Sequence, residues 1–390
     1  MSAKPIFKRT DLAIKMTAQI LSDGVGAVSA SGLFLAAPRR TGKSTFLRED
    51  LRPQLTANGV IVLYADLWAD RSADPGQVII GAIRTELSKY DSVIKRLAQA
   101  AGVDKVNVGG LGFSLDRVGL GGDVSMSDAL AVLSAETSKT IVLIIDEAQH
   151  AITTQDGYDT LFALKAARDE LNSSQYHGLR IVATGSNRDK LAMLRNSKDQ
   201  AFYLVPLVPF PPLGKDYVQW FCQRAPLPTP LDPAVVFELF RRASYRPEIL
   251  DAAINALRFD FSEQPNGDSN RAFSTAVEIQ CEADDKIALS VFHALTPLQS
   301  AVLRVLAARG DQYAPFEQAT IETYQTALSA IAPNESVKPV GANVQQALSA
   351  LQDKSLVWRE RRGVYALEES ALAELLAANG FLDVVPAQTW

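Results

Sequence analysis

Between Gly32 and about Phe210, short unbroken apolar runs alternate with longer stretches whose apolar residues recur every three or four positions. The short runs suit parallel strands buried on both faces, and the periodic stretches suit the helices that cover them. Strands are predicted at 33–37, 60–65, 141–145, 179–184 and near 202–205, with a helix around 78–99. The fold class expected is α/β, a five-stranded parallel core over residues 31–210. Ahead of it, residues 1–30 form an N-terminal segment with helix-like spacing (Leu12, Ile14, Met16, Ile20, Leu21) and a small Gly/Ser/Ala-rich turn.

The stretch VPLVPFPPLG (205–214) closes the core, because several prolines in ten residues cannot continue a helix or a central strand. Residues 211–260 then read as a helical lid, with PTPLDP (228–233) as a helix-start turn. The polar run DFSEQPNGDSNRAF opens a linker assigned to 261–284. Residues 285–390 alternate Ala/Leu-rich helices with a short strand-like piece. Here Val344, Leu348 and Leu351 lie on one helix face, followed by 356–358, a turn at Arg362 and Gly363, and 364–367, the pattern of a winged helix. Within the core, the Gly-rich segment at about 103–123 has period-two apolar positions (Val106, Val108, Leu111, Phe113, Leu115). It is expected to be a hairpin-like insertion, either a partner contact or a solvated loop.

Composition narrows the classes. The 390 residues are 47% hydrophobic and 21% charged, an ordinary balance for a globular protein of two or three domains. Two cysteines, Cys222 and Cys281, exclude a disulfide scaffold or a four-cysteine zinc site. The three histidines lack the spacing of a metal pair. The apolar runs are too short to span a membrane and the N-terminus has no apolar signal core, so a cytoplasmic protein is expected. A net charge of −5 gives no general attraction to nucleic acid, leaving any DNA contact to a local patch.

The chemistry concentrates after the first strand. Residues 37–44 read APRRTGKS, the phosphate-loop pattern G-x-x-x-x-G-K-[ST] with Ala37 in place of the first glycine. Such a turn, from strand into helix, directs backbone N–H groups inward around phosphate oxygens, and the helix start adds positive potential. The loop residues Ala37, Pro38, Arg39, Arg40, Thr41 and Gly42 would wrap ATP. Lys43 would reach the β- and γ-phosphates, Ser44 would hold Mg2+, and Thr45 could bond the α-phosphate. If the position of Ala37 needs a positive φ, its methyl costs about 1 kcal/mol.

Downstream, TIVLIIDEAQH (140–150) places Asp146 and Glu147 at the carboxyl end of a buried strand, the edge where open α/β sheets bind ligands. Asp146 would orient the magnesium together with Ser44, and Glu147 would polarise the attacking water. DEAQH is one residue from the helicase signature DEAH, but Gln149 intervenes and no second core follows. Gln149 or His150 could instead report on bound nucleotide. TGSN (184–187) ends another strand, offering Ser186 or, preferred, Asn187 to the γ-phosphate or the water. Arg246, before Pro247, could reach the phosphates from the helical domain.

PRRTGKST, YADLW (64–68), IIDEAQ (144–149), TGSN and YRPEIL (245–250) resemble, in that order, the bacterial and archaeal P-loop ATPases at the AAA+/STAND border, and are similar to the archaeal-ATPase and origin-recognition branch. The likeness covers about residues 30–258. It implies an ATPase core of five parallel strands, a helical lid and a C-terminal winged helix. It also implies an acidic residue after the second strand, here Asp66, and an arginine finger reaching a neighbouring subunit, with Arg195 as candidate and Arg188 behind it. The chain departs from the family at Ala37 and in the Gly-rich insertion.

The expected function is an ATP-binding and ATP-hydrolysing switch that couples nucleotide state to a DNA or protein partner. The alternatives are a DNA-binding regulator, or a defence or signalling scaffold, in which ATP is a structural or oligomerising ligand. Lys338, Lys354, Arg359, Arg361 and Arg362 make the 338–362 segment the candidate surface for double-stranded DNA. Yet residues 291–390 hold seven basic and ten acidic residues, a net of −3, which leaves a protein partner, self-inhibition or a role in packing alone open beside DNA. A homo-oligomer is a further expectation, and no membrane partner is expected.

Overall fold

Period-two alternation assigns each strand residue to one of two cores. In β3 (Ile141–Asp146), Ile141, Leu143 and Ile145 join one buried cluster while Val142 and Ile144 join another on the opposite face. The same parity runs through β1 (Leu33–Ala36), where Phe34 and Ala36 face one way and Leu33 and Leu35 the other. With β2 (Ile61–Asp66), β4 (Leu179–Gly185) and β5 (Leu207–Pro209), these strands form one parallel sheet in the order β2-β3-β4-β1-β5. The computed structural model describes residues 5–23, 32–70, 72–102, 115–120, 122–173, 175–196, 200–259, 268–334, 336–361, 363–369 and 371–386.

Helices Pro75–Leu87, Asp91–Ala100, Met126–Thr137 and Gln155–Leu171 cover the first face. The helix around 78–99 is therefore two helices, interrupted at Tyr90, whose backbone is extended. The other face is covered by Thr10–Leu21 and by a helical stretch running from Lys43 to Ala57, with a π-helical turn at Leu47–Leu51. The N-terminal helix is thus part of the core: Ala13, Met16 and Ile20 are buried against Leu47, Leu51 and Leu55. Of the Gly-rich insertion, residues 103–114 lie outside the described residues. Beyond them, Val118 and Val124 are buried, and the Arg84 guanidinium donates to the carbonyls of Asp116 and Val118.

Two expectations are corrected. The last strand is not at 202–205, where the chain turns and Phe202 and Val205 plug the end of the core; it is β5, inside the proline-rich stretch. An edge strand bonds on one side only, so Pro209 is tolerated there. The linker assigned to 261–284 falls partly outside the described residues, and from residue 269 it is helix, Ser269–His293, capped by the Asp268 carboxylate accepting from the Asn270 N–H. Phe273, Ala276, Val277 and Cys281 form its buried stripe.

The chain divides into two compact units: Met1–Trp220 with Tyr245–Pro247, and Phe221–Ser244 with Glu248–Trp390. The second therefore takes in most of the expected lid, its helices Pro233–Arg242 and Pro247–Arg258, together with the winged-helix-like segment. In that segment, helices Pro297–Arg309, Gln318–Ile331 and Gly341–Asp353 precede an antiparallel hairpin of β6 (Val357–Arg361) and β7 (Val364–Leu367). Val344, Leu348 and Leu351 enter its core as their spacing requires. No helix among the described residues is long and apolar enough to cross a membrane.

Since β3 is enclosed on both faces, truncation there is costly. Leu143→Ala should destabilise the first unit by about 2–5 kcal/mol, read from urea unfolding, with the far-ultraviolet signal of the native state retained.

Candidate functional site

The strand order decides what meets at the carboxyl edge of the sheet. With β4 between β1 and β3, the ends of these three strands are consecutive, so the loop after β1 faces the acids after β3 across the end of β4. Ala37 is buried and its N–H still bonds the Gly185 carbonyl, continuing the strand. The left-handed positions of the loop are Arg40 and Gly42, not Ala37, so the methyl carries no backbone cost. The Thr41 hydroxyl donates to the Pro38 carbonyl at 2.8 Å and staples the loop. Lys43 then begins the helix, whose first amides lack intrahelical acceptors by construction.

Lys43 is the centre of the site. Its Nζ lies 2.6 Å from Glu147 Oε1 and 3.6 Å from Asp146 Oδ1, with the side chain 5% exposed. Asp146 accepts from the Tyr64 hydroxyl at 3.1 Å, from the Thr184 hydroxyl, and from the Glu147 N–H at 3.1 Å. Arg48 donates to Tyr64 and pairs with Asp66. Burial pushes the Tyr64 phenol up, and the neighbouring Asp146 charge adds to it, so Tyr64 stays a donor.

Glu147 takes a left-handed backbone (φ 55°, ψ 43°), where an L-residue costs about 1–2 kcal/mol. It is held by the Ser186 hydroxyl at 2.7 Å, the Ser186 N–H at 3.1 Å and the Gln149 amide at 2.6 Å, all on Oε2. Burial alone would raise its pKa. The Lys43 charge and hydrogen bond, with those from Ser186 and Gln149, outweigh it and bring the carboxyl down to about 2.

The other expected residues are placed as follows. Ser44 is half-buried and Thr45 exposed, both in the first helical turn. Ser186, not the preferred Asn187, faces Glu147; the Asn187 side-chain oxygen Oδ1 accepts from the Lys190 N–H at the next helix start. Arg195 is half-buried with its Nε enclosed and unbonded, a poor posture for reaching outward, whereas Arg188 is exposed. Arg246 is half-buried in the short Tyr245–Pro247 stretch that groups with the first unit. Arg39 and Arg40 are exposed on the loop.

Sequence reasoning gave no role to Tyr64, Thr184 or Arg48. The signal for two of them was strand parity: Tyr64 pairs with Ile144, two residues before Asp146, and Thr184 follows Val182 by two on the same face. Asp146 and Ser44 fit magnesium as a donor set, one carboxylate and one hydroxyl with the remaining positions left for phosphate and water. Consistent with a cation there, the carboxylate already faces the Lys43 ammonium.

Strand order, loop and strand-end acids together define an α/β P-loop fold with a winged-helix-like tail. Solved structures share it. A Walker-type ATPase of Pyrococcus abyssi aligns over 96% of this chain and 99% of its own, at 18% identity and TM-score 0.52. The ORC2 protein of Aeropyrum pernix, in its ADP form, aligns over 95% and 93%, at 16% identity and TM-score 0.57. No protein-family model and no curated protein matches the chain by sequence.

The depressed Glu147 carboxyl makes stability depend on pH with a definite sign. A folded pKa of about 2 against an ordinary 4.5 contributes about 3 kcal/mol above pH 4.5, lost as pH falls towards 2. Urea unfolding of the nucleotide-free protein between pH 2 and 6 should show this loss, and Glu147→Gln should flatten it. Equal slopes in both proteins would show that the ion pair carries no such weight.

Proposed function

We propose that the chain is an ATP-binding and ATP-hydrolysing switch whose nucleotide state governs engagement of a macromolecular partner. The observation that carries this reading is the Lys43 ammonium, held by Glu147 beside Asp146 at the mouth of the phosphate loop. Phosphates entering the loop draw Lys43 away from Glu147. The carboxylate then loses the charge that depresses it and gains the basicity a general base needs. It takes a proton from water as the water oxygen bonds the γ-phosphorus and the bridging P–O bond breaks, releasing ADP and phosphate. Bound through Ser44 and Asp146, magnesium would neutralise charge on the phosphate oxygens. Ser186 keeps Glu147 aimed, and Tyr64 and Thr184 orient Asp146. Asn187 and Arg246 are further proposed contributors, and an arginine finger from Arg195 or Arg188 of a neighbouring subunit is the alternative source of positive charge, to be favoured if turnover requires a second copy of the chain.

The fold likeness supports this reading, and one neighbour with a TM-score of 0.51 and 16% identity, the ORC2 protein again, was solved with ADPNP and ADP. Lys43→Ala should abolish ATP binding in calorimetry. Glu147→Gln should keep binding while lowering turnover about 100- to 10,000-fold. Turnover unchanged in Glu147→Gln would remove the general-base role and favour ATP as a structural or oligomerising ligand.

The partner reading is constrained by the helix Gly341–Asp353. Its exposed residues include Gln345, Gln346 and Ser349, and it carries no lysine or arginine. Lys338, Lys354 and Arg359 flank it, all exposed; the Arg361 side chain and Arg362 lie outside the described residues. If double-stranded DNA docks here through those three cations, log K against log salt should have a slope of about −3. No gel shift at low salt, with or without ATP, would remove the DNA reading of this surface.

A further inference from the structure

Arg39 stands three residues past the end of β1, inside the loop that wraps phosphate. Its side chain lies across a shelf at the carboxyl edge of the sheet. The guanidinium carbon is 4.9 Å from the centre of the Trp68 ring, and the Trp68 ring is 4.4 Å from that of His150. The shelf is tied to the site, since the Trp68 N–H donates to Asp66 at 3.0 Å, and Asp66 pairs with Arg48. From there Arg39 Nε donates to the Ser186 hydroxyl at 3.3 Å. That hydroxyl donates in turn to Glu147. A single hydroxyl, through two hydrogen bonds, therefore links the guanidinium to the carboxylate that polarises water.

Charge makes the placement informative. Lys43 is matched by Glu147 and Asp146, whereas Arg39 has no carboxylate within ion-pair distance among the described residues. An exposed arginine on an aromatic face gains roughly 0.5–1 kcal/mol, little enough to be exchanged for a phosphate oxygen. The γ-phosphate must lie beside Glu147 for water attack, on the side of the loop where this uncompensated cation waits.

We propose that Arg39 is a catalytic residue of the site, contacting the γ-phosphate and neutralising charge that develops on it, from within the same chain. This rests on the ATPase reading above. It makes turnover a property of the single subunit, with Trp68 as an aromatic rest for the guanidinium between cycles.

The experiment compares the wild-type protein, Arg39→Ala and Arg39→Lys. Each is titrated with Mg·ATP and Mg·ADP by calorimetry and assayed for phosphate release across a range of protein concentrations. Trp68 emission is followed in parallel, with Trp68→Phe identifying its share of the signal. Arg39→Ala should bind ADP as the wild type does, bind ATP about tenfold more weakly, and lose about 100-fold in kcat. Arg39→Lys should recover part of the loss, because it restores charge without the planar fork. Wild-type activity per subunit should not vary with concentration. Trp68 emission should respond to ATP and not to ADP, and the response should vanish in Arg39→Ala.

Equal losses for ATP and ADP, or an unchanged kcat in Arg39→Ala, would overturn the proposal. So would wild-type activity that rises with protein concentration while Arg39→Ala behaves identically. If wild-type protein binds neither nucleotide, the ATPase reading fails and this inference falls with it. Wild-type turnover with an indifferent Arg39→Ala defeats this inference alone.

Discussion

One buried ammonium between a buried and a partly buried carboxylate is the constraint around which the first unit is organised. Lys43, Asp146 and Glu147 together carry a net negative charge in a place with little solvent, where unpaired ions are expensive. The network tolerates it because the remaining carboxylate oxygens receive neutral donors: Tyr64 and Thr184 on Asp146, Ser186 and Gln149 on Glu147. Those donors sit on β2, at the end of β4 and after β3. The sheet order is therefore part of the electrostatics: moving β4 from between β1 and β3 would strip donors from both acids.

The same constraint reaches the N-terminus. Lys43 is only as well placed as the helix it begins, and that helix is braced beyond its first turn. The Lys8 ammonium donates to the Glu49 carbonyl at 2.6 Å, and the Arg9 N–H donates to the buried Asp50 at 3.1 Å, both in the π-helical turn. The Arg9 guanidinium lies over the Phe210 ring and donates to the Pro211 and Pro212 carbonyls. One arginine thus ties the phosphate-loop helix to the segment leaving β5. Helix Thr10–Leu21, which began as a separate N-terminal segment in the sequence reading, belongs to the same core for this reason.

What could be read from the sequence followed from local signals. Strands β1 to β4 are largely apolar runs, unlike the edge strand β5, and the loop and the two acids follow their strands directly, so type and position were both legible. The edge strand was not, because an edge tolerates the prolines that argue against a strand. The 269–293 helix hid behind its polar face, although Phe273, Val277 and Cys281 recur at helical spacing and Asp268 supplies a cap. Asn187 was preferred to Ser186 because either fits a strand end by residue type. Only the backbone shows that the asparagine is spent capping a helix while the serine turns to Glu147.

Motif letters turn out to stand for conformational and spatial requirements that can be met in more than one way. Ala37 replaces a glycine at no backbone cost because the loop places its positive φ at Arg40 and Gly42. Gly185 is constrained by clearance: a Cβ there would come within 2.6 Å of the Gln149 side-chain oxygen. Gln149, which separates this chain from the helicase signature, and the glycine of TGSN are thus two halves of one feature. The glycine leaves the room that the glutamine occupies, and the glutamine secures the Glu147 carboxylate. A substitution that fills the space at Gly185 acts on the Glu147 carboxylate through Gln149, without touching either charge.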